Sequence, residues 1–436
     1  MRFPPGFNRF LHILVLTVIL LGAIWAPASG ETCGYNPLVD DLLSRGEQDR
    51  WVNWIAELSG GRPILTADGE AFIQTRSNDV LFDSRLGPSA FDYLQNELVN
   101  LGFVAGRDFM VHTYAYPYGD RYPEHNWKNL ILTFPGAGPV LKNERVLLVA
   151  HLDSTSDQEE TLAPGADDNG TGSAGLLEAA VLLSQFQFDR TIHLIWFSGE
   201  EYSRLGSTYF VKDYADWLPD IKAVINLDMF GFDWDEDRCF EIHAGTLPGS
   251  QEIGTCLSAM IDAYDLNLTF DYLDDESAYT LSDHYPFWQA GVPAVMVIEN
   301  YSFQPDGVCG VTDRNYQYHQ TSDILAYINA DTGFAILQAG IAAVAQLAGP
   351  QDACFTKGPW VRVYDEGNNL HITWQKLDAQ HYQVWQEQAG RWVKVGKTIG
   401  THWVVPAVEG QSLRFKVIAF SEAGCQSPAG YSNVNN

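Results

Sequence analysis

Basic residues are scarce in this chain. Against 55 Asp and Glu it carries 26 Lys and Arg in 436 residues, a formal net charge of -29. Phosphates would be repelled over most of such a surface, which excludes a nucleic-acid partner. No long acidic run stands apart as an interaction tail, so the charge reads as solubility. Long apolar runs are missing too: beyond residues 11–24 no segment reaches about 18 uninterrupted apolar positions, which excludes a multi-span membrane protein. The six cysteines never show Cys-x-x-Cys spacing, so they are kept out of any metal site. Repeats and low-complexity segments are absent. What is present is 46% hydrophobic content with 13% aromatics, enough for one large core and a smaller second domain.

Arg2 and Arg9 precede the apolar residues 11–24, and Ala26-Pro-Ala28-Ser-Gly30 follows. Charged, apolar and small-residue parts in that order predict a secretory signal over residues 1–30, a mature chain from near Glu31 and no stable membrane anchor. The expected location is outside the cytoplasm, extracellular or periplasmic. Export lets Cys33, Cys239, Cys256, Cys309, Cys354 and Cys425 pair as up to three disulfides, with all 15 pairings open. Asn169, Asn267 and Asn300 each open an Asn-x-Ser/Thr triplet, which matters only in a eukaryotic secretory route.

Residues 31–350 alternate short apolar runs with helical stretches, which predicts an α/β domain with a mostly parallel mixed sheet flanked by helices. Residues 145–150, 191–197, 223–227 and 294–298 read as buried strands, and 89–101, 171–186 and 331–347 as helices. After Gly349-Pro350 the pattern changes. Residues 356–436 hold only short alternating strands between turns, as in Leu370-His-Ile-Thr-Trp374 and Tyr382-Gln-Val-Trp385, and predict a small β-sandwich.

Polar residues fall at telling places on this map. His151 and Asp153 directly follow one predicted strand, Glu200-Glu201 another and Asp228 a third, all at carboxyl ends, where open α/β sheets place their sites. Gly165-Ala-Asp-Asp168-Asn-Gly-Thr-Gly172 opens a helix, and Tyr318-His319-Gln-Thr lies in a late loop. Singly, each has a plain reading: Asp-Asp-Asn-Gly is turn chemistry and Glu-Glu a solvated pair. Jointly, His151, Asp168, Glu201, Asp228 and His319 offer two imidazoles and three carboxylates, a donor set for two Zn²⁺ ions about 3.5–4 Å apart with a shared water. Glu200, beside Glu201, is then available to take that water's proton. Strand alternation puts Asp153 on the side of His151, where it can orient the imidazole or bond to it.

This set of motifs resembles the M28 metallopeptidases over about residues 45–350, and within them the bacterial secreted leucyl-aminopeptidase type. The resemblance implies that His151 and Glu201 are terminal ligands to opposite metals, that Asp168 bridges, and that Asp228 completes the His151 side and His319 the Glu201 side. It implies that Glu200 is the general base, with Asp153 behind the ligands and Asp167 a loop residue. The segment from Ser277 to Trp288 resembles the substrate-side loop, with Tyr279 and His284 as substrate contacts; Ser277 and Leu281 stand where that type has cysteines. Phe415 to Gly424 resembles the closing strands of a fibronectin type III domain, although Leu413 replaces the corner tyrosine.

The implied activity is removal of N-terminal, preferably apolar, residues from peptides. Carboxypeptidase and glutaminyl cyclase chemistry occur on the same fold; the first would require a cation such as Arg204 to hold a terminal carboxylate. A different class of function is adhesion, with an inactive peptidase domain and Trp385, Trp392 and Trp403 of the C-terminal module touching a polymer or cell surface. The intact Glu200 argues against it.

Overall fold

A strand covered by helices on both faces can carry apolar side chains at nearly every position. The computed structural model describes residues 33–66, 69–77, 88–116, 126–302, 304, 307–355, 357–366, 368–388, 390–408, 413–422 and 424–432. The expected signal segment, residues 1–30, lies outside them.

Eight strands form the large sheet: β1 (Phe109–Ala115), β2 (Asn126–Phe134), β3 (Arg145–His151), β4 (Thr191–Phe197), β5 (Ile221–Leu227), β6 (Cys239–His243), β7 (Thr269–Leu273) and β8 (Ala294–Glu299). Their order is β7-β6-β8-β5-β3-β4-β2-β1. The centre, β4-β3-β5-β8, is parallel throughout. Antiparallel pairing begins outside it, where β2 joins β4, β1 joins β2 and β6 joins β8. The sheet is thus mixed, with its parallel part where the sequence shows unbroken apolar runs.

Eight helices accompany it among the described residues: α1 (Pro37–Leu43), α2 (Gln48–Leu58), α3 (Ala90–Asn100), α4 (Gly172–Leu183), α5 (Leu205–Asp213), α6 (Pro248–Ala263), α7 (Tyr285–Gln289) and α8 (Ala330–Ala348). Alternation along β3 divides the core. Val146, Leu148 and Ala150 join the cluster that includes α4 and α8, while Leu147 and Val149 pack with Phe210 of α5 and Phe287 of α7. α4 and α8 approach so closely that a Cβ on Gly175 would lie 2.8 Å from Leu337 Cδ1. α8 is long and apolar enough to cross a membrane by composition, yet 78% of that stretch is buried in this core.

After antiparallel pairing of Pro350–Ala353 with Phe186–Phe188, the chain enters two antiparallel sheets. Their strands are β9 (Val361–Glu366), β10 (Asn369–Trp374), β11 (His381–Gln388), β12 (Arg391–Thr398), β13 (His402–Pro406), β14 (Phe415–Phe420) and β15 (Gly430–Tyr431), ordered β9-β10-β13 and β12-β11-β14-β15. Ile372, Val384, Phe415 and Val417 fill the space between them.

The four-stranded sheet faces α2 and α3. Arg391 pairs with Glu57 at 3.1 Å, Lys394 Nζ donates to Val99 O at 3.2 Å, and Phe420 sits against Gly102, where a Cβ would lie 2.7 Å from its ring. Trp385 is buried and lies under the ammonium groups of Lys394 and Lys416. Disulfides join Cys33–Cys256, Cys239–Cys309 and Cys354–Cys425. Of the three glycosylation triplets, Asn169 and Asn300 are buried and only Asn267 is exposed.

One buried ion pair links α2 to α4. Glu178 is fully buried and accepts from Arg50 Nε at 2.7 Å, from Arg50 Nη2 at 2.6 Å and from the Glu47 amide at 2.9 Å. Removing one partner of such a pair strands the other charge. Arg50→Met is therefore expected to lower unfolding free energy by about 3 kcal/mol in denaturant titration, and Arg50→Met/Glu178→Met to recover part of that loss.

Candidate metal centre

The carboxyl ends of the parallel strands meet at one edge, because β3 and β4 run in register from Arg145↔Thr191 to His151↔Phe197. His151 ends β3, Ser198-Gly-Glu200-Glu201 follow β4, and Asp228 follows β5. Asp168 arrives from the loop before α4. Gly165 there has φ 51°, and a Cβ on it would stand 2.2 Å from Asp168 O, so the turn requires glycine. The peptide bond between Asp168 and Asn169 is cis.

Two groups of donors result, sharing Asp168. His151 Nε2 lies 3.2 Å from Asp228 Oδ1 and 3.3 Å from Asp168 Oδ1. His319 Nε2 lies 3.2 Å from Asp168 Oδ2 and 3.0 Å from Glu201 Oε2. Ligand atoms of His151, Asp168 and Glu201 all fall within 4.8 Å of one another. The donors of a tetrahedral zinc with bonds of about 2.0–2.1 Å stand about 3.3–3.4 Å apart, which these separations approach.

Protonation sharpens the case. His151 Nδ1 is 3.0 Å from Asp153 O, a carbonyl that can only accept, so Nδ1 carries the hydrogen. In the neutral imidazole the Nε2 lone pair then faces two carboxylate oxygens, an arrangement that calls for a cation or proton between them. Glu201 Oε1 is buried without a hydrogen-bond partner. The residues present therefore fit a bound metal of the nitrogen-and-oxygen class, and zinc is the metal this donor set suits.

Supporting groups hold the donors. Asp153 serves twice: its carbonyl orients His151, and its carboxylate accepts the amides of Glu200 at 3.3 Å and Glu201 at 3.1 Å. Asp228 Oδ2 accepts from Ser282 Oγ at 2.5 Å, and Ser282 Oγ in turn accepts from Asn226 Nδ2 at 2.6 Å. Asp167 acts as a loop residue, accepting from the Gly231 amide at 2.7 Å and from Asn315 Nδ2 at 2.8 Å.

Two important groups carried no sequence signal. Asp323 accepts the amides of Asp167 and Asp168 at 3.0 and 3.1 Å, fixing the Asp168 backbone from behind. Arg76 is wholly buried and donates to the carbonyls of Leu152, Leu58, Pro164 and Gly165, so its cation lies beneath the carboxylates without consuming them. Arg76 lies in a segment with no motif, and Asp323 four residues beyond His319, where nothing local ties it to the Asp168 loop.

The substrate-side pair divides. Tyr279 lines the crevice with Met229, Leu281, Met296, Ile298, Tyr301 and Tyr318. His284, the other expected substrate contact, does not line the crevice. It is fully buried, its Nε2 donates to Tyr279 O at 2.8 Å, and burial pushes its pKa down to about 3, so it stays neutral and positions Tyr279. His243 Nδ1 accepts the Tyr279 amide at 2.9 Å from the other side.

Charge on the metal-free site is set by burial and crowding. Burial, then the neighbouring Asp228 and Asp283, hold Glu200 well above the carboxylate range against the pull of His151. Burial and Asp168 raise Glu201 to about 7. Burial opposes charge on His319, but Asp168 and Glu201 outweigh it and push its pKa up to about 10.

A model of peptidase family M28 matches residues 129–344, a span that includes all five donors and ends before the C-terminal sheets. A probable leucine aminopeptidase of Arthroderma otae is 30% identical over 222 residues, 49% of this chain and 58% of that protein. Leucine aminopeptidase 1 of Sclerotinia sclerotiorum is 28% identical over 264 residues, 57% of this chain and 62% of that one. The chain thus spans about three fifths of the length of these curated relatives. The Legionella pneumophila LapA aminopeptidase structure shares the fold, with a TM-score of 0.54 and 22% identity over 72% of this chain and 75% of that one.

Asp323→Ala frees the two amides that orient Asp168 and is expected to weaken zinc binding about 10- to 100-fold, read by chelator competition. Because His319 in the metal-free protein keeps its proton up to about pH 10, zinc addition near neutrality must displace it. Apparent zinc affinity should accordingly rise with pH, with proton release visible to an indicator dye.

Proposed function

We propose that this chain is a secreted two-zinc aminopeptidase that removes apolar residues from the free amino terminus of peptides. The observation that carries the reading is the shared carboxylate: Asp168 turns one oxygen to His151 Nε2 and the other to His319 Nε2. His151, Asp228 and Asp168 would hold one ion, and His319, Glu201 and Asp168 the other. When bound, the metals supply Lewis acidity that lowers the pKa of a water and polarises the scissile carbonyl.

The rest is done by side chains. Glu200 lines the crevice and takes the proton of the attacking water on its carboxylate, then gives it to the leaving amine nitrogen. A carboxylate whose proton affinity is raised by burial suits both halves of that task. Asp153 keeps Glu200 in place through the backbone rather than touching substrate. Met229, Leu281, Met296 and Ile298, with the rings of Tyr279 and Tyr301, form the apolar wall for the first side chain. The leucine aminopeptidase relatives support that preference.

Carboxypeptidase chemistry is not favoured. No Lys or Arg lines the crevice among the described residues, and Arg204 is spent on Thr280 O and the Tyr285 ring. Cyclase chemistry on a single zinc fits poorly with two donor groups sharing Asp168. Export is supported by the three disulfides, which persist in oxidising compartments. The three-plus-four-stranded sandwich supports the fibronectin type III-like reading of residues 356–436. Polymer contact through it would have to use Trp360 and Tyr364, 51% and 47% exposed, because Trp385 is buried and Trp392 packs with it.

Aminoacyl anilides with free amino groups should be cleaved, Leu and Met among the best, while N-acetylated analogues and carboxyl-terminal test peptides are spared. Chelation should abolish the activity and zinc restore it. Glu200→Gln should keep both metals by elemental analysis and lower kcat at least about 100-fold. Near-normal turnover would remove Glu200 as the base, and cleavage of acetylated peptides would remove the aminopeptidase assignment.

A further inference from the structure

The loop leaving Asp228 carries a second acidic group that the proposed chemistry does not use. In Asp233-Trp-Asp235-Glu-Asp237 three aspartates alternate, and each offers an oxygen within 4.8 Å of the others. Each also spends an oxygen on the fold. Asp233 Oδ2 accepts from Thr332 Oγ1 at 2.5 Å and Asn329 Nδ2 at 3.1 Å, Asp235 Oδ1 from the Asp237 amide at 3.3 Å, and Asp237 Oδ1 from the Cys239 amide at 2.8 Å. The remaining oxygen of Asp233, Oδ1, is buried and has no hydrogen-bond partner, in a residue only 7% exposed. An ionised carboxylate oxygen shut away from water and donors is costly unless a cation reaches it.

Nothing nearby compensates. Asp313 adds a fourth carboxylate, accepting the Trp234 amide at 2.6 Å and the Asp235 amide at 3.4 Å. Among the described residues no Lys or Arg pairs with any of the four; Arg238, next in sequence, turns away to the carbonyls of Leu266 and Asn267. Burial and the mutual repulsion of these acids raise both Asp237 and Asp313 above the usual aspartate range.

We propose that Asp233, Asp235 and Asp237 form a calcium site, separate from the zinc centre, that clamps the loop from Asp228 to Arg238. All-oxygen donors of this kind take hard cations, and Ca²⁺, which accepts 6–8 oxygens at irregular angles, suits three carboxylates on a loop better than the strict octahedron of Mg²⁺. The site would act at a distance. Gly231 of the same loop donates to Asp167, and Gly231 O accepts the Asn329 amide at the start of α8, while Asp313 lies two residues before Asn315, the other donor to Asp167. A cation at the aspartates would therefore hold together the loops that present Asp228, Asp168 and His319.

The probe is Tb³⁺, added to zinc-reconstituted, desalted full-length protein and excited through tryptophan, since Trp234 lies between the first two ligands. We expect sensitised emission displaced by Ca²⁺ with half-effect at about 10⁻⁴ to 10⁻³ M, the range of extracellular calcium modules, and displaced poorly by Mg²⁺. Asp235→Asn/Asp237→Asn alters only exposed side chains and should lower Tb³⁺ affinity at least about tenfold and remove the rise in Tm that Ca²⁺ gives the parent protein. Emission that survives the double substitution, resists Ca²⁺ or yields equally to Mg²⁺ would overturn the proposal. The zinc and aminopeptidase readings are untouched by either result.

Discussion

Carboxylates crowded at the carboxyl edge of a parallel sheet impose the constraint on which the rest of the molecule depends. Asp153, Asp168, Asp228, Asp283 and Asp323 are each under 10% exposed, and Glu200 and Glu201 stand among them. Two like charges 4 Å apart repel by about 4 kcal/mol at an effective dielectric constant near 20. Such a group persists only if cations or protons are distributed through it. The two imidazoles, the buried Arg76 and the room between donors all answer that need. A retired site would have no reason to retain acids at this density.

The same constraint explains how irregular loops can be buried here. Backbone amides inside a protein must find acceptors, and these loops find them in carboxylates: Asp153 for Glu200 and Glu201, Asp323 for Asp167 and Asp168, Asp167 for Gly231. Asp153, Asp167 and Asp323, which take amides, stay out of the crevice lining, whereas Asp168, Glu200 and Asp228 line it. The division of labour among chemically identical side chains is decided by which of them meets a backbone donor. Apolar layers on both faces of β3, β4 and β5 then keep the edge rigid enough for donor distances near 3 Å to persist.

The C-terminal sheets bear on this through α2 and α3. Arg391 reaches Glu57, while Trp385 and Phe420 lie on the same side of the four-stranded sheet. Trp385, which looks available for a polymer in the sequence, is buried in this packing, the ordinary use of large aromatic surface. α2 in turn touches the Asp168 loop, where Trp51 Nε1 donates to Thr171 O at 3.0 Å. α2 thus touches both the module and the centre.

Local pattern sufficed for much of this protein. Unbroken apolar runs announced β3, β4, β5 and β8, Ser89 and Gly102 bracketed α3, and strand-end positions singled out His151, Glu200, Glu201 and Asp228, because periodicity and turn chemistry are written within a few residues. The edge strand β1 and its antiparallel neighbour β2 were not legible, since antiparallel strands at the margin of a sheet carry a weaker pattern. Nor were the partners chosen across long separations. The disulfide pairing, Asp323 behind Asp168, Arg76 beneath the loop, His284 turned inward and the aspartate group on the loop after Asp228 all depend on which backbones are brought together. One chain order is compatible with many such choices, and only the packed tertiary structure, by setting distances and excluding water, selects among them.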